Sequence, residues 1–164
     1  MNRLFQELGN EVGPQLKDSE AKEQTINERL KALQEKMMIV VKVKCNEAYS
    51  WFEKNAIQSD SGFKITEENK NEGQKYMKEL QECSAKFDFG LRDEMQNVES
   101  DILKISETHQ ACSTNCIENP ESKKDEEIKN CFKNCFNQTF VKTDKIQVRL
   151  VQKIDDAIFN LNKI

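Results

Sequence analysis

The chain has 164 residues, of which 33% are charged and 37% apolar, with a net charge of −4, five glycines and two prolines. That profile suits long solvated helices, and it excludes a turn-rich β architecture, which would need more glycine and proline. The basic clusters cancel locally, as where Lys123-Lys124 precede Asp125-Glu126-Glu127, so no basic stripe for nucleic acid is expected.

The first 17 residues, "MNRLFQELGNEVGPQLK", carry acids early and lack the apolar core of a secretory signal. We expect an N-terminal segment over 1–17 and no cleavable address. The longest apolar run, Met37 to Val41, is far short of the roughly 20 residues that span a bilayer. One sequon, Asn137-Gln138-Thr139, reads as chance without a signal peptide.

The next element is a helix over about 18–56. Its apolar stripe is Ile26, Leu30, Leu33, Met37, Val41, Cys45, Ala48 and Phe52, at steps of three and four. Asp18 or Ser19 would cap its start. The β-branched stretch Ile39 to Val43 reads as helix, because helical spacing continues on both sides. A loop follows in "IQSDSGFKIT", residues 57–66.

A second helix is predicted over about 66–118. Its stripe runs from Tyr76 to Cys116 through Leu80, Cys83, Phe87, Leu91, Met95, Val98, Ile102, Ile105, His109 and Cys112. The steps average about 3.6 residues, the α-helical period. Thr66 with Glu67-Glu68 marks its start, and Asn119-Pro120 its end. Gly73 and Gly90 weaken it by roughly 1 kcal/mol each against alanine, and a bend is expected near Phe89-Gly90. A third helix, about 123–162, carries Ile128, Cys131, Cys135, Thr139, Ile146, Leu150, Ile154, Ile158 and Leu161, with Ser122 and Asp125 as a capping pair.

The expected fold is therefore all-α, with three long antiparallel helices joined by short turns. Residues at one level of an antiparallel hairpin have numbers with a constant sum. Cys112 with Cys135 and Cys116 with Cys131 share the sum 247, centred in the second turn. Each helix offers its two thiols on one side, at i and i+4. The pairs can thus be joined at two levels; the other interhelical pairing would need parallel helices. Cys45 with Cys83 share the sum 128, centred in the first loop, as do Tyr49 and Glu79 one turn inward. The first half thus repeats the second with its inner pair replaced. The domain reading is an N-terminal segment, a degenerate hairpin module over 18–90, and a full module over 91–164 that shares the central helix.

Two CX3C motifs separated by 14 residues, with "CFKNCFNQTFVKTDKIQVRLVQKI" from Cys131 to Ile154, resemble the small Tim proteins of the mitochondrial intermembrane space. The doubled arrangement, over roughly residues 35–160, is similar to a eukaryotic mitochondrial family with two tandem twin-CX3C hairpins. Tyr49 and Glu79 stand where that pattern would have cysteines. The resemblance implies oxidation in the intermembrane space and import without a cleavable presequence.

The physical expectation beside it is structural disulfides, because thin helical hairpins bury too little apolar surface to hold alone. Two alternatives remain open at this point. Four thiolates on two helices can hold a tetrahedral zinc, although zinc knuckles more often use C-x2-C on turns. A redox centre would want an accessible thiolate of low pKa, and no C-x-x-C is present. For Cys45 and Cys83 the alternative to a bond is a pair of buried free thiols.

His109, the single histidine, lies on the apolar stripe and reads as a packed neutral imidazole. Trp51, Phe52, Met38 and Met77 are candidate partner-binding residues, weighed against ordinary core packing. No P-loop, dinucleotide fingerprint or catalytic grouping appears, so no enzyme and no cofactor are expected. The expected function is a structural or assembly subunit, docked through amphipathic helices to protein partners at an inner-membrane complex such as one of the respiratory chain. It would be membrane-associated through those partners. The alternatives are a small-Tim-like chaperone for hydrophobic precursors and a zinc-binding or thiol-redox module.

Overall fold

The computed structural model describes residues 2–59, 62–118 and 124–164, with side chains from residue 6 onward and none at Ser59. Among these residues the chain is all-α apart from one small hairpin. Its helices are α1 (Asn2–Lys44), α2 (Asn46–Asn55), α3 (Lys70–Ser84), α4 (Leu91–Ile117) and α5 (Asp125–Leu161). Strands β1 (Ile57–Ser59) and β2 (Gly62–Lys64) pair antiparallel, with Gln58 opposite Phe63. No described helix is long and apolar enough to cross a membrane.

The boundaries depart from the sequence reading in five places. The segment 1–17 is helical, so Asp18 and Ser19 are interior residues of α1 rather than caps. Pro14 lies inside this helix and removes one hydrogen-bond donor. Buried Leu8 and Val12, one turn apart, supply the apolar contact that offsets the loss. At Cys45 the φ/ψ values leave the helical region (−108°, 33°) and separate α1 from α2. The i to i−4 bonding nevertheless continues through it, with Cys45 N–H donating to Val41 and its carbonyl accepting from Tyr49. The predicted loop 57–66 contains the β-hairpin.

The helix expected over 66–118 is two helices. A 3₁₀ turn over Ala85–Phe87 leads to Phe89 and Gly90, both left-handed (φ 51° and 74°). Gly90 reaches that conformation freely, and its N–H donates to the Asp88 carboxylate at 2.7 Å. The bend expected at this dipeptide is thus a full interruption. Thr66 caps a 3₁₀ turn over Glu67–Asn69 without a side-chain bond, and α3 starts four residues later. The Asn119-Pro120 stop and the Ser122 cap lie outside the described residues.

The chain divides into two compact units. The first holds residues 1–29 and 92–153: the start of α1, α4, and most of α5. The second holds residues 30–91 and 154–164, with α2, the β-hairpin, α3 and the two helix ends. Its core includes Leu33, Cys45, Ala48, Phe52, Ile154, Ala157 and Leu161.

Gly73, buried in α3, shows why an apparent weakness in the sequence is retained. A Cβ there would lie 2.5 Å from Ile65 Cγ2 and 2.8 Å from its Cδ1. Intrinsic propensity favours alanine by about 1 kcal/mol, but overpacking costs about 1–3 kcal/mol. Gly73→Ala is expected to destabilise in urea unfolding. Ile65→Ala in the same background should recover part of the loss, whereas a propensity-dominated site would gain stability from Gly73→Ala alone.

Candidate functional site: a disulfide ladder under a covering helix

In the first unit α4 and α5 run antiparallel and carry two disulfides one helical turn apart. Cys112 is bonded to Cys135 and Cys116 to Cys131, with Cα separations of 5.8 and 5.7 Å. These bonds join the residues of common sum, and the same register extends along the pair. His109 meets Thr139 at 2.9 Å, and Arg149 reaches Glu94 (2.6 Å) and Asp101 (2.9 Å). Those two carboxylates, Asp101 foremost, raise the guanidinium pKa further.

His109 is half-buried against Phe136, ring centres 4.9 Å apart. The Thr139 hydroxyl donates its one hydrogen to the Cys135 carbonyl (3.0 Å). It must therefore accept from His109 Nδ1, which carries a proton. Nε2 faces the Ser113 hydroxyl at 3.5 Å. The histidine thus braces the α4–α5 contact beside the outer bond.

α1 covers the ladder. Leu8 and Val12 pack into one cluster with Cys116, Phe132 and Cys135, flanked by Ile128, Phe136 and Phe140. Polar contacts fix the register. Lys133 binds Glu11 (2.6 Å), Gln15 donates to Asn137 (3.3 Å), and Lys22 binds Asp144. The constant offset of 122 between partners means that α1 and α5 run parallel, as alternate members of an up-down-up set do. Sequence reading missed this cover. The Leu8/Val12 spacing was its signal, obscured by Gly9, Gly13 and Pro14.

Charge reinforces the cover. Lys133 and Lys129, in that order, hold the Glu11 carboxyl below its usual pKa. Its contribution to folding is then complete above the ordinary carboxylate range and is lost as pH falls through the lowered value. We expect Glu11→Gln to lower the melting temperature at pH 7 and to converge with the wild type in strong acid. A pH-independent difference would mean that the ion pairs contribute nothing. Lys22, pulled upward by Asp144 and then Asp18, stays charged throughout that window.

The second unit has one bond, Cys45–Cys83, with a Cα separation of 6.0 Å. One turn inward, Tyr49 packs edge-on against Phe63 (5.6 Å), and Glu79 faces Lys75 (3.8 Å). Trp51 stacks on Tyr76 at 5.1 Å and Phe52 on Phe63 at 5.4 Å. Of the candidate partner residues, Phe52 is 0% exposed and belongs to the core, because β2 brings Phe63 over it. Trp51 and Met77 are half-buried, and Met38 is 60% exposed.

The sulfurs of Cys116, Cys131 and Cys135 lie within 4.8 Å of one another. Reduced, they would offer a metal three thiolates; bonded, they offer none, so the two occupancies exclude each other. No described cysteine is free. No family model, curated protein or solved structure matches the chain.

Proposed function

We propose that the chain is a non-catalytic structural or assembly subunit of a hetero-oligomeric complex, resident in the mitochondrial intermembrane space and docked to an inner-membrane complex of the respiratory-chain kind. We read it as two tandem disulfide-stapled hairpins that share the run formed by α3 and α4, in the manner of the twin-CX3C proteins it resembles. The observation that carries this reading is the set of large apolar side chains left exposed on cross-linked helices. On α1 these are Leu16, Met38, Ile39 and Val43; on α4, Ile102, Leu103 and Ile117; on α5, Val141, Val148 and Phe159. Cross-links hold such faces in shape without burying them, and faces of this kind suit partner chains. The three bonds also fit an oxidising compartment.

The test is native fractionation of mitochondria with the chain tagged, combined with non-reducing mass analysis. A subunit co-migrates with one complex at fixed stoichiometry, survives salt washing, and is lighter than the reduced chain by two hydrogens per bond. A soluble small ring that collects unrelated apolar precursors would replace this reading with the chaperone. A chelator-sensitive chain with free thiols would replace it with the zinc module.

A further inference from the structure

The ladder has an inside and an outside. Cys116 and Cys135 are buried, whereas Cys112 and Cys131 are half-buried. Each bond therefore joins one buried cysteine to one half-buried cysteine. The two buried sulfurs belong to different bonds, yet their Sγ atoms lie only 3.7 Å apart. The remaining gap to the ordinary disulfide length of about 2.0 Å is about 1.7 Å, across a diagonal between the two levels of the ladder.

We propose that Cys116 and Cys135 form an internal thiol–disulfide exchange site, through which a small-molecule or protein thiol arriving at one bond is answered by a free thiol at the other. Disulfide exchange proceeds by thiolate attack on one sulfur, with the electron pair leaving on its partner. An external thiolate attacks Cys131, the less buried cysteine of its bond. The Cys116–Cys131 bond breaks, a mixed disulfide forms on Cys131, and the electron pair leaves on Cys116. The Cys116 thiolate attacks Cys135. The Cys112–Cys135 bond breaks, a Cys116–Cys135 bond forms, and the pair leaves on Cys112, which takes up a proton from water. One thiol enters and one thiol emerges; the number of disulfides is unchanged, and no oxidant or reductant is consumed. Entry at Cys112 runs the same sequence in reverse order and frees Cys131.

The cover over this site gives the exchange a direction of access. Leu8 and Val12 of α1 lie in the cluster with Cys116 and Cys135. External thiols are thereby kept to Cys112 and Cys131, while the two inner sulfurs remain in contact with each other. The inference concerns the ladder alone and stands whether or not the chain docks to a complex.

The experiment is a short pulse of glutathione on the oxidised full-length chain at pH 8, quenched in acid and alkylated under denaturing conditions at low pH. Trypsin leaves Cys112 and Cys116 on one peptide but separates Cys131 from Cys135. Among molecules with glutathione on Cys131, the alkyl label is expected on Cys112, with Cys116 linked to Cys135. Label on Cys116, with Cys112 still linked to Cys135, would overturn the proposal. Cys112→Ser supplies a second reading that needs no external thiol, because it leaves Cys135 free beside the intact inner bond. After incubation at pH 8 the label should divide between Cys135 and Cys131. Label confined to Cys135, while a urea-treated sample of the same variant labels both, would also overturn it.

Discussion

Replacing Cys45 and Cys83 together by alanine is expected to be the most damaging removal of a single bond, at about 4 kcal/mol in the chain-entropy account. The bond closes a separation of 38 residues, the longest of the three. It joins the α1–α2 junction to the last turn of α3, and those helices have only 10 and 15 residues in α2 and α3. Helices this short are marginal alone. The bonds of the ladder behave differently because they are nested. With Cys116–Cys131 intact, the outer bond closes only a small additional ring, so its loss should cost roughly 1 kcal/mol less than that of Cys45–Cys83. Removing both ladder bonds should cost more than either alone. Urea titrations of the three double-alanine variants measure this order. Equal losses for Cys45/Cys83 and Cys112/Cys135 would contradict the nesting.

The second large effect is Phe52→Ala, for which we expect a loss of about 3–5 kcal/mol. The ring is 0% exposed, stacks on Phe63, and meets Trp51 edge-on at 5.1 Å. Truncation opens a cavity beside Trp51 and Phe63, and those rings are too stiff to fill it. Thermal unfolding with tryptophan fluorescence reports the change at Trp51, the only tryptophan in the chain. Met38→Ala is the contrast: at 60% exposure it should alter stability little, and any effect should appear in the recovery of partners. A Phe52→Ala chain that kept its melting temperature and lost only its partners would return Phe52 to the surface role first considered for it.

Helical character and most of the buried stripe were legible because both follow from spacing. Leu33, Cys45, Ala48, Phe52, Val98, Cys116, Ile146, Leu150 and Ile154 all sit on the stripes drawn from the sequence, and all are buried. The level of each cysteine was legible for the same reason, since an antiparallel turn turns sequence position into height. Ile102 was placed on a stripe and is exposed, because a stripe marks the face that can be buried and not the length over which a neighbour covers it.

Features set by tertiary contact were hidden. Gly73 reads as a weak helix residue until Ile65 is seen against it. The helix break at Phe89 comes from a left-handed backbone at a phenylalanine, which propensity disfavours. Nothing in the stripe from Tyr76 to Cys116 signals a full interruption. The covering role of residues 6–17 depends on Leu8 and Val12 meeting a partner that lies more than a hundred residues away in sequence.

The bonds also decide what a single peptide-bond cleavage would do to this molecule. A nick between Cys116 and Cys131 leaves the two pieces tied twice, and one between Cys45 and Cys83 leaves them tied once. Between the first cysteine and the last, only the stretch from Ser84 to Ala111, which includes the interruption at Phe89-Gly90, is spanned by no disulfide. A protease acting there would cut the last covalent link between a fragment that carries the single bond and one that carries the ladder, leaving them held only by noncovalent contacts such as those of Leu8 and Val12 with the ladder.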